Sequence, residues 1–470
     1  ADPHEIANVC GLTGIDYVLA HNGKIPLDIY VNLSSCVPAT HLEHAGASLS
    51  AEDLATRFDH PGVCGLAEVM NFPGVFLAVP DVLKKIVAAG ERPVDGHCPG
   101  LRGKNLNAYL TAGIGSDHEC TTAEEAEEKL RRGMAIMIRE GTVARNLAAL
   151  LGIVSVERLP RLMFCTDDRE PVDLVEEGHL DFLIRKAAGR GLDPITAIRM
   201  CTINVANYFG VSRRGAVAPG YQADLVVVED LFGVKARMVF KAGRLVARDG
   251  EPLWDPVRID DSRVVGTMNM APLTDTSFHL EARGTRAHVI ELVPRQIVTN
   301  HLVEEVKVTD GAVVSDPSRD LLKLAVVERH HATGRIGLGL ARGFGLKKGA
   351  LASTVAHDSH NLVVVGVDDA SMRLAAEEVA RIGGGLAAAA DGNVLASLPL
   401  PIAGLMSDRP LVDVKAQLEA MYRAAKDMGG KAPHPYMSLA FLALPVIPSL
   451  KITDMGVVDV EKFELIDLFV

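Results

Sequence analysis

Four short apolar segments of this chain each end in a residue type that binds divalent metals. They are Gly65-Leu66-Ala67-Glu68, Pro93-Val94-Asp95-Gly96-His97, Gly113-Ile114-Gly115-Ser116-Asp117-His118, and Leu162-Met163-Phe164-Cys165-Thr166-Asp167-Asp168. One carboxylate, two imidazoles and a further carboxylate suit a borderline metal ion. Glu68 is flanked by Ala67, Val69 and Met70, so a carboxylate buried there must be paired, protonated or metal-bound, and a bridge between two ions fits it best. His97 follows a glycine that lets the backbone come close, and His118 stands in Ser116-Asp117-His118-Glu119. Either histidine alone reads as an ordinary hydrogen-bonded side chain; with one helix between them, they read as a ligand pair. Asp167 closes an apolar run, where an ionised carboxylate can ligate a metal and take a proton from attacking water. Asp168 has the same chemistry. Asp167 is preferred as the nearer to the strand, and whichever of the two does not face the metal reads as a helix N-cap. This set spells a metal-dependent hydrolase.

Side chains so far apart in sequence converge only if the elements beneath them repeat. Residues 1 to about 212 alternate strand and helix: strands over 28–35, 65–70, 134–138 and 161–166 and up to His97 and His118, with helices over 51–58, 81–89, 101–110 and 143–151. Thr122-x-x-Glu125 is a capping-box signature opening the charged helix to Arg132. The fold class is therefore α/β, a parallel barrel in preference to an open sheet, with six or so strands to be counted and their polar ends gathered at one rim. From Gly215 the pattern changes to a turn-rich lead and a β-branched strand, then a hairpin across Ala242-Gly243. The division expected is a hydrolase barrel over 1–212, a small β module over 213–272, a β-sandwich by the resemblance drawn below, and a C-terminal α+β domain over 273–470. That last region holds β-rich stretches (304–309, 362–367), helices (371–382, 414–427), and the polar cluster Ala356-His357-Asp358-Ser359-His360-Asn361.

The totals narrow the partners. A chain of 470 residues has room for two or three cores. Lys and Arg number 48 against 60 Asp and Glu, a net charge of -12, which opposes a nucleic-acid backbone and leaves no membrane-surface footprint. The seven cysteines are scattered, which argues against a disulfide framework and for a reducing compartment. No apolar run has transmembrane length and no signal-like core opens the chain, so a cytoplasmic location is expected. The sequence opens mid-motif on Ala1-Asp2-Pro3-His4-Glu5, and an upstream segment is expected. Asp2, His4 and Glu5 are candidates for lining the pocket, with a plain loop as the alternative; His357, Asp358 and His360 read either as a second metal site or a wall of the first, because 358 and 360 project together if extended, or as a solvated turn. His330-His331 is a weaker candidate, and Glu124 to Glu128 with Arg131-Arg132 reads as a solvated helix face.

Taken together, Asp2-Pro3-His4-Glu5-Ile6-Ala7-Asn8, Leu66-Ala67-Glu68-Val69-Met70-Asn71, Asp95-Gly96-His97-Cys98-Pro99, Ser116-Asp117-His118-Glu119, Thr166-Asp167-Asp168 and His357-Asp358-Ser359-His360-Asn361 resemble the bacterial-type adenine deaminases of the amidohydrolase superfamily. The resemblance covers nearly the whole chain. It implies a distorted eight-fold barrel, a β-sandwich built from both sides of it, a dedicated C-terminal domain, and a binuclear site of manganese, iron or zinc. By matching position, Glu68 would bridge the metals, His97 and His118 would ligate one of them, and Asp167 would be the catalytic aspartate. The superfamily's first strand also carries a His-x-His pair, which this sequence lacks before Asp2; the expectation is a piece of a longer protein.

The resemblance implies hydrolysis of adenine to hypoxanthine and ammonia. In such a site a metal brings the pKa of water from ~15.7 towards neutrality. Asp167 would pass the proton to the departing amine, and a pocket acid, Glu5 or His4, would protonate a ring nitrogen. Asp2, Asp117, Glu119, Asp168, His357 and His360 are expected as substrate contacts or as supports of the ligands. The purine assignment rests on the resemblance alone, since no base-stacking aromatic set is visible. Adenine is the expected partner and a homodimer the expected assembly. Two other readings are an amidohydrolase acting on a cyclic amide or another nucleobase, and a non-catalytic scaffold that has lost the first ligand strand.

Overall fold

The computed structural model describes residues 1–294 and 296–470. The chain divides into two compact units. One comprises Ala1–Pro3, Ile15–Cys36 and Leu49–Asp260, the other His4–Gly14, Val37–Ser48 and Asp261–Val470.

The first unit is built on six short parallel strands in sequence order: β1 (Val31–Leu33), β2 (Val63–Val69), β3 (Val94–Gly96), β4 (Ser116–Asp117), β5 (Ala135–Arg139) and β6 (Leu162–Cys165). They form two three-stranded sheets, β1-β2-β3 and β4-β5-β6, joined where Gly115 N donates to Val94 O at 2.9 Å. Helices follow the strands, among them Pro80–Ala88 after β2, Gly103–Thr111 after β3 and Ala123–Arg131 after β4. The apolar faces pack together: Ile136, Ile138, Leu162 and Phe164 from strands meet Ala126, Leu130, Leu147, Leu150 and Leu183 from helices. Repeated strand–helix units with parallel neighbours are the construction of an α/β barrel, and the six described strands form an arc of one.

Gly96 shows why β3 can lie so close to β4. A Cβ there would stand 2.3 Å from Ser116 O and 2.8 Å from Ile114 Cγ2, so only hydrogen fits.

Several local expectations shift. The helix expected over 143–151 is a single turn, Leu147–Leu150, followed by the 3-10 turn Leu151–Ile153. Thr122 caps Ala123–Arg131 by accepting from Glu125 N, but the Glu125 carboxylate does not complete the box. It turns inward to Lys129, whose Nζ donates to it at 2.6 Å and to Asp117 at 3.0 Å. Glu125 and Lys129 are buried, so one side of this helix is not a solvated face.

The rest of the first unit is an antiparallel sheet, β10-β9-β8-β7, of β7 (Leu225–Val228), β8 (Ala236–Lys241), β9 (Arg244–Arg248) and β10 (Glu251–Pro252). Its hairpin turns through Ala242 and Gly243, both at positive φ, the geometry of a tight two-residue turn. Instead of the expected sandwich, the described residues make a single layer here.

The second unit centres on an eight-stranded sheet. Its strands are β11 (Arg286–Leu292), β12 (Thr299–Glu305), β15 (Leu322–Val327), β16 (Ile336–Arg342), β17 (Ala350–Ser353), β18 (Leu362–Gly366), β19 (Gly385–Ala390) and β20 (Asn393–Pro399); β13 (Lys307–Thr309) and β14 (Ala312–Val314) pair separately. Neighbours are antiparallel except β11 and β16. Helix Asp369–Arg381 lies on this sheet, with Met372, Ala375, Ala376 and Val379 against Ala325, Ala352, Val364 and Ala387; small side chains on both surfaces permit close packing. A three-stranded sheet of β21 (Leu450–Thr453), β22 (Gly456–Asp459) and β23 (Glu464–Ile466) completes the unit. Among the described residues no helix is long and apolar enough to cross a membrane, and all seven cysteines are free.

Candidate metal centre

Ligand atoms of Glu68, His97 and His118 lie within 4.8 Å of one another. Each residue stands at the carboxyl end of its strand: Glu68 in β2, His97 directly after β3 and His118 directly after β4. His97 Nδ1 is 2.8 Å and His118 Nε2 3.2 Å from the same Glu68 oxygen, Oε2, and the two rings meet edge to face at 5.4 Å between centroids. His97 Nε2 is buried with no hydrogen-bond partner among the described residues. A nitrogen left so is costly, and two imidazoles around one carboxylate form a donor set that suits a divalent ion. The residues present therefore fit the metal expected of them.

The electrostatics point the same way. Burial works to deprotonate His118, but Glu68, Glu119 and Asp167 outweigh it and raise its pKa to about 10. Burial opposes charge on His97 too, and Glu119 and Glu68 prevail and raise it. Glu68 is held well below the usual carboxylate range: burial would lift it, and His118 and His97 more than compensate. A cavity that attracts protons this strongly attracts a cation when the imidazoles are neutral.

Asp167 sits two residues beyond β6 with φ 55°, a left-handed turn that aspartate tolerates better than most residues. Its Oδ2 accepts from Arg139 Nη1 at 3.0 Å. The same guanidinium grips both oxygens of Glu119, with Nη2 donating to Oε2 at 2.8 Å and Nη1 to Oε1. Burial would raise the Asp167 carboxyl, yet Arg139 and His118 together hold it below its ordinary value. Its side chain is 29% exposed, so water reaches it. Arg139 is not among the residues expected from the sequence, where the strand reads as 134–138; it runs Ala135–Arg139. The available signal was a charged residue closing an apolar strand, the same one that marked the others.

The remaining candidates divide between the two units. Asp117 is fully buried and faces Lys129, and it accepts from Cys98 N at 2.9 Å and Glu119 N at 3.2 Å. It therefore clamps the turns after β3 and β4. Asp168 accepts from Thr142 N through its carbonyl at 2.9 Å and is outside the Glu68-His97-His118 cluster. Asp2 accepts from Ser34 Oγ at 3.1 Å.

In the second unit His4 and Glu5 open the helix His4–Cys10, and His4, His357 and Asp358 bring ligand atoms within 4.8 Å of one another. His4 Nε2 is 3.7 Å and His357 Nδ1 3.6 Å from Asp358 Oδ1, and the His357 ring stacks on Phe441 at 4.6 Å. Residues 357–359 form a turn instead of an extended strand, so Asp358 and His360 do not project together. His360 is fully buried, with Nδ1 accepting from Ala356 N at 3.1 Å. His330 Nε2 lies 2.7 Å from Ser359 O, a structural tie for this turn.

Comparison with known proteins decides the family. Residues 1–246 match the amidohydrolase family and residues 296–464 the adenine deaminase C-terminal domain. An adenine deaminase of Desulfatibacillum aliphaticivorans is 52% identical over 100% of this chain and 83% of its own. The chain belongs to the adenine deaminase family of amidohydrolases. Other adenine deaminases are nearly as similar: adenine deaminase 2 of Carboxydothermus hydrogenoformans is 50% identical over 99% of this chain and 82% of its own, and that of Nitratidesulfovibrio vulgaris 50% over 98% and 81%. Amidohydrolase membership implies a TIM-barrel-type fold and a divalent metal, in keeping with the strand arc and the Glu68-His97-His118 cluster.

Proposed function

We propose that the chain catalyses the hydrolytic deamination of adenine to hypoxanthine and ammonia at the Glu68-His97-His118 centre. The observation that carries this reading is the convergence of these three residues on one carboxylate oxygen, in a chain half-identical to adenine deaminases along its length. The domain reading that goes with it has the catalytic barrel over 1–212, a β module over 213–272 and the C-terminal domain over 273–470.

Glu68, His97 and His118 would hold the metal, with Glu68 as a bridge if two ions of manganese, iron or zinc are present. When bound, such a cation acidifies the hydrolytic water. The chain's own residues manage the proton. As water adds to carbon six of the purine, Asp167 accepts its proton; as the C–N bond breaks, Asp167 returns that proton to the amine, which leaves as ammonia. The depressed pKa of Asp167 keeps it ionised for the first half. Glu5 or His4 would protonate a ring nitrogen, which Glu5→Gln and His4→Asn test.

Ammonia release from a panel of purines and cyclic amides, using protein reloaded with manganese after chelation, tests the function. Adenine should be the preferred substrate. Preference for another member of the panel would replace adenine, and metal content near zero with no turnover would support the scaffold reading. Metal analysis should give two ions per chain, and the mass in solution that of a dimer.

A further inference from the structure

We infer that Arg139 is the positioning residue of the proton-transfer step, setting the Asp167 carboxylate through one hydrogen bond while neutralising Glu119. The inference rests on the role proposed for Asp167. Arg139 ends β5 beside β6, with Arg139 paired to Cys165 across the sheet, and its side chain is 3% exposed. Its guanidinium meets Asp167 Oδ2 at 3.0 Å and both oxygens of Glu119. The geometry separates two carboxylates with different tasks. Glu119 Oε1 lies 3.5 Å from His118 Nε2 and 3.7 Å from His97 Nδ1, near enough to compete for a cation, but both its oxygens are taken up by the planar fork of Arg139. Asp167 receives one bond from Arg139, to Oδ2 alone, beside the backbone bond that the neighbouring Asp168 gives the same carboxylate. A lysine at 139 cannot grip Glu119 at two points and reach Asp167 as well.

Steady-state kinetics on adenine with Arg139→Met and Arg139→Lys, each checked for metal content and thermal unfolding, test this. Arg139→Met should keep its metal and its KM and lose kcat on the order of 10²-fold, the cost of a misplaced reacting group. Arg139→Lys should recover only part of that loss, and added guanidinium should restore turnover to an Arg139→Gly variant. Wild-type kcat in Arg139→Met would overturn the inference, as would a loss of kcat that merely follows lost metal. The failure of the proposed function looks different: the metal-loaded wild type would leave adenine unchanged. The positioning claim would then be decided by the crystal structure of Arg139→Met. A displaced Asp167 carboxylate supports it, and an unmoved one overturns it.

Discussion

His97 Nδ1 lies 2.8 Å from Glu68 Oε2, and the other nitrogen of that imidazole is buried with no hydrogen-bond partner among the described residues. The ring is thus fixed at one end and unsatisfied within the fold. With His97 in the ligand role proposed for it, His97→Ala should lower metal affinity by more than the roughly 10- to 100-fold that loss of a group behind the ligands costs. Metal retained after dialysis against a graded chelator series measures this.

Lys129 is the buried cation beneath the same rim, bonded to Asp117, Glu125 and Cys98 O. Replacing it by methionine strands two buried carboxylates. Lys129→Met should cost about 3–5 kcal/mol of stability, read from urea unfolding. An exchange at Arg131, on the exposed side of the same helix, should cost within about 0.5 kcal/mol.

Gly96 permits the approach of β3 to β4. Because a methyl group there would meet a backbone oxygen at 2.3 Å, which cannot swing aside as a side chain can, Gly96→Ala should destabilise by at least about 1–3 kcal/mol. It should also reduce metal binding, since His97 is the next residue. Urea unfolding and metal analysis of one preparation report both effects.

The strand-end motifs were legible because one rule covers them: an apolar run closing on a metal-ligand type marks the rim of a parallel barrel. Glu68, His97 and His118 all obey it. Glu125 reads as solvated because it stands in the acidic run Glu124 to Glu128, and only Lys129 and the Asp117 carboxylate across the packing show that it faces in. The eight-stranded sheet was hard to see for a different reason. β19 reads Gly-Leu-Ala-Ala-Ala-Ala, a composition that locally favours helix; its strand state is imposed by β17 and β20 on either side. For Asp358 and His360 an extended run and a turn are equally open in the sequence, and the turn is held by distant partners such as Arg329, which donates to His360 O.

Lys451 is wholly buried in β21, donating to Ile297 O and Phe441 O at 2.9 Å each, and burial pulls its pKa down to about 7. The unfolded chain binds this proton more tightly than the folded one between pH about 7 and the ordinary lysine value of 10.5. Stability attributable to Lys451 should therefore rise with pH across that window and be flat below it. The wild-type minus Lys451→Met difference in unfolding free energy at pH 7.5, 8.5 and 9.5 isolates the effect, because other titrating groups cancel. A difference that does not change with pH would contradict it.

The most direct test is the titration of metal-stripped protein with manganese while following ammonia release from adenine, comparing wild type with Glu68→Gln. Wild-type turnover should rise with added metal to a plateau, while Glu68→Gln, lacking the charge the two imidazoles share, should stay near background. Equal turnover by both proteins, or none by the fully loaded wild type, would contradict this.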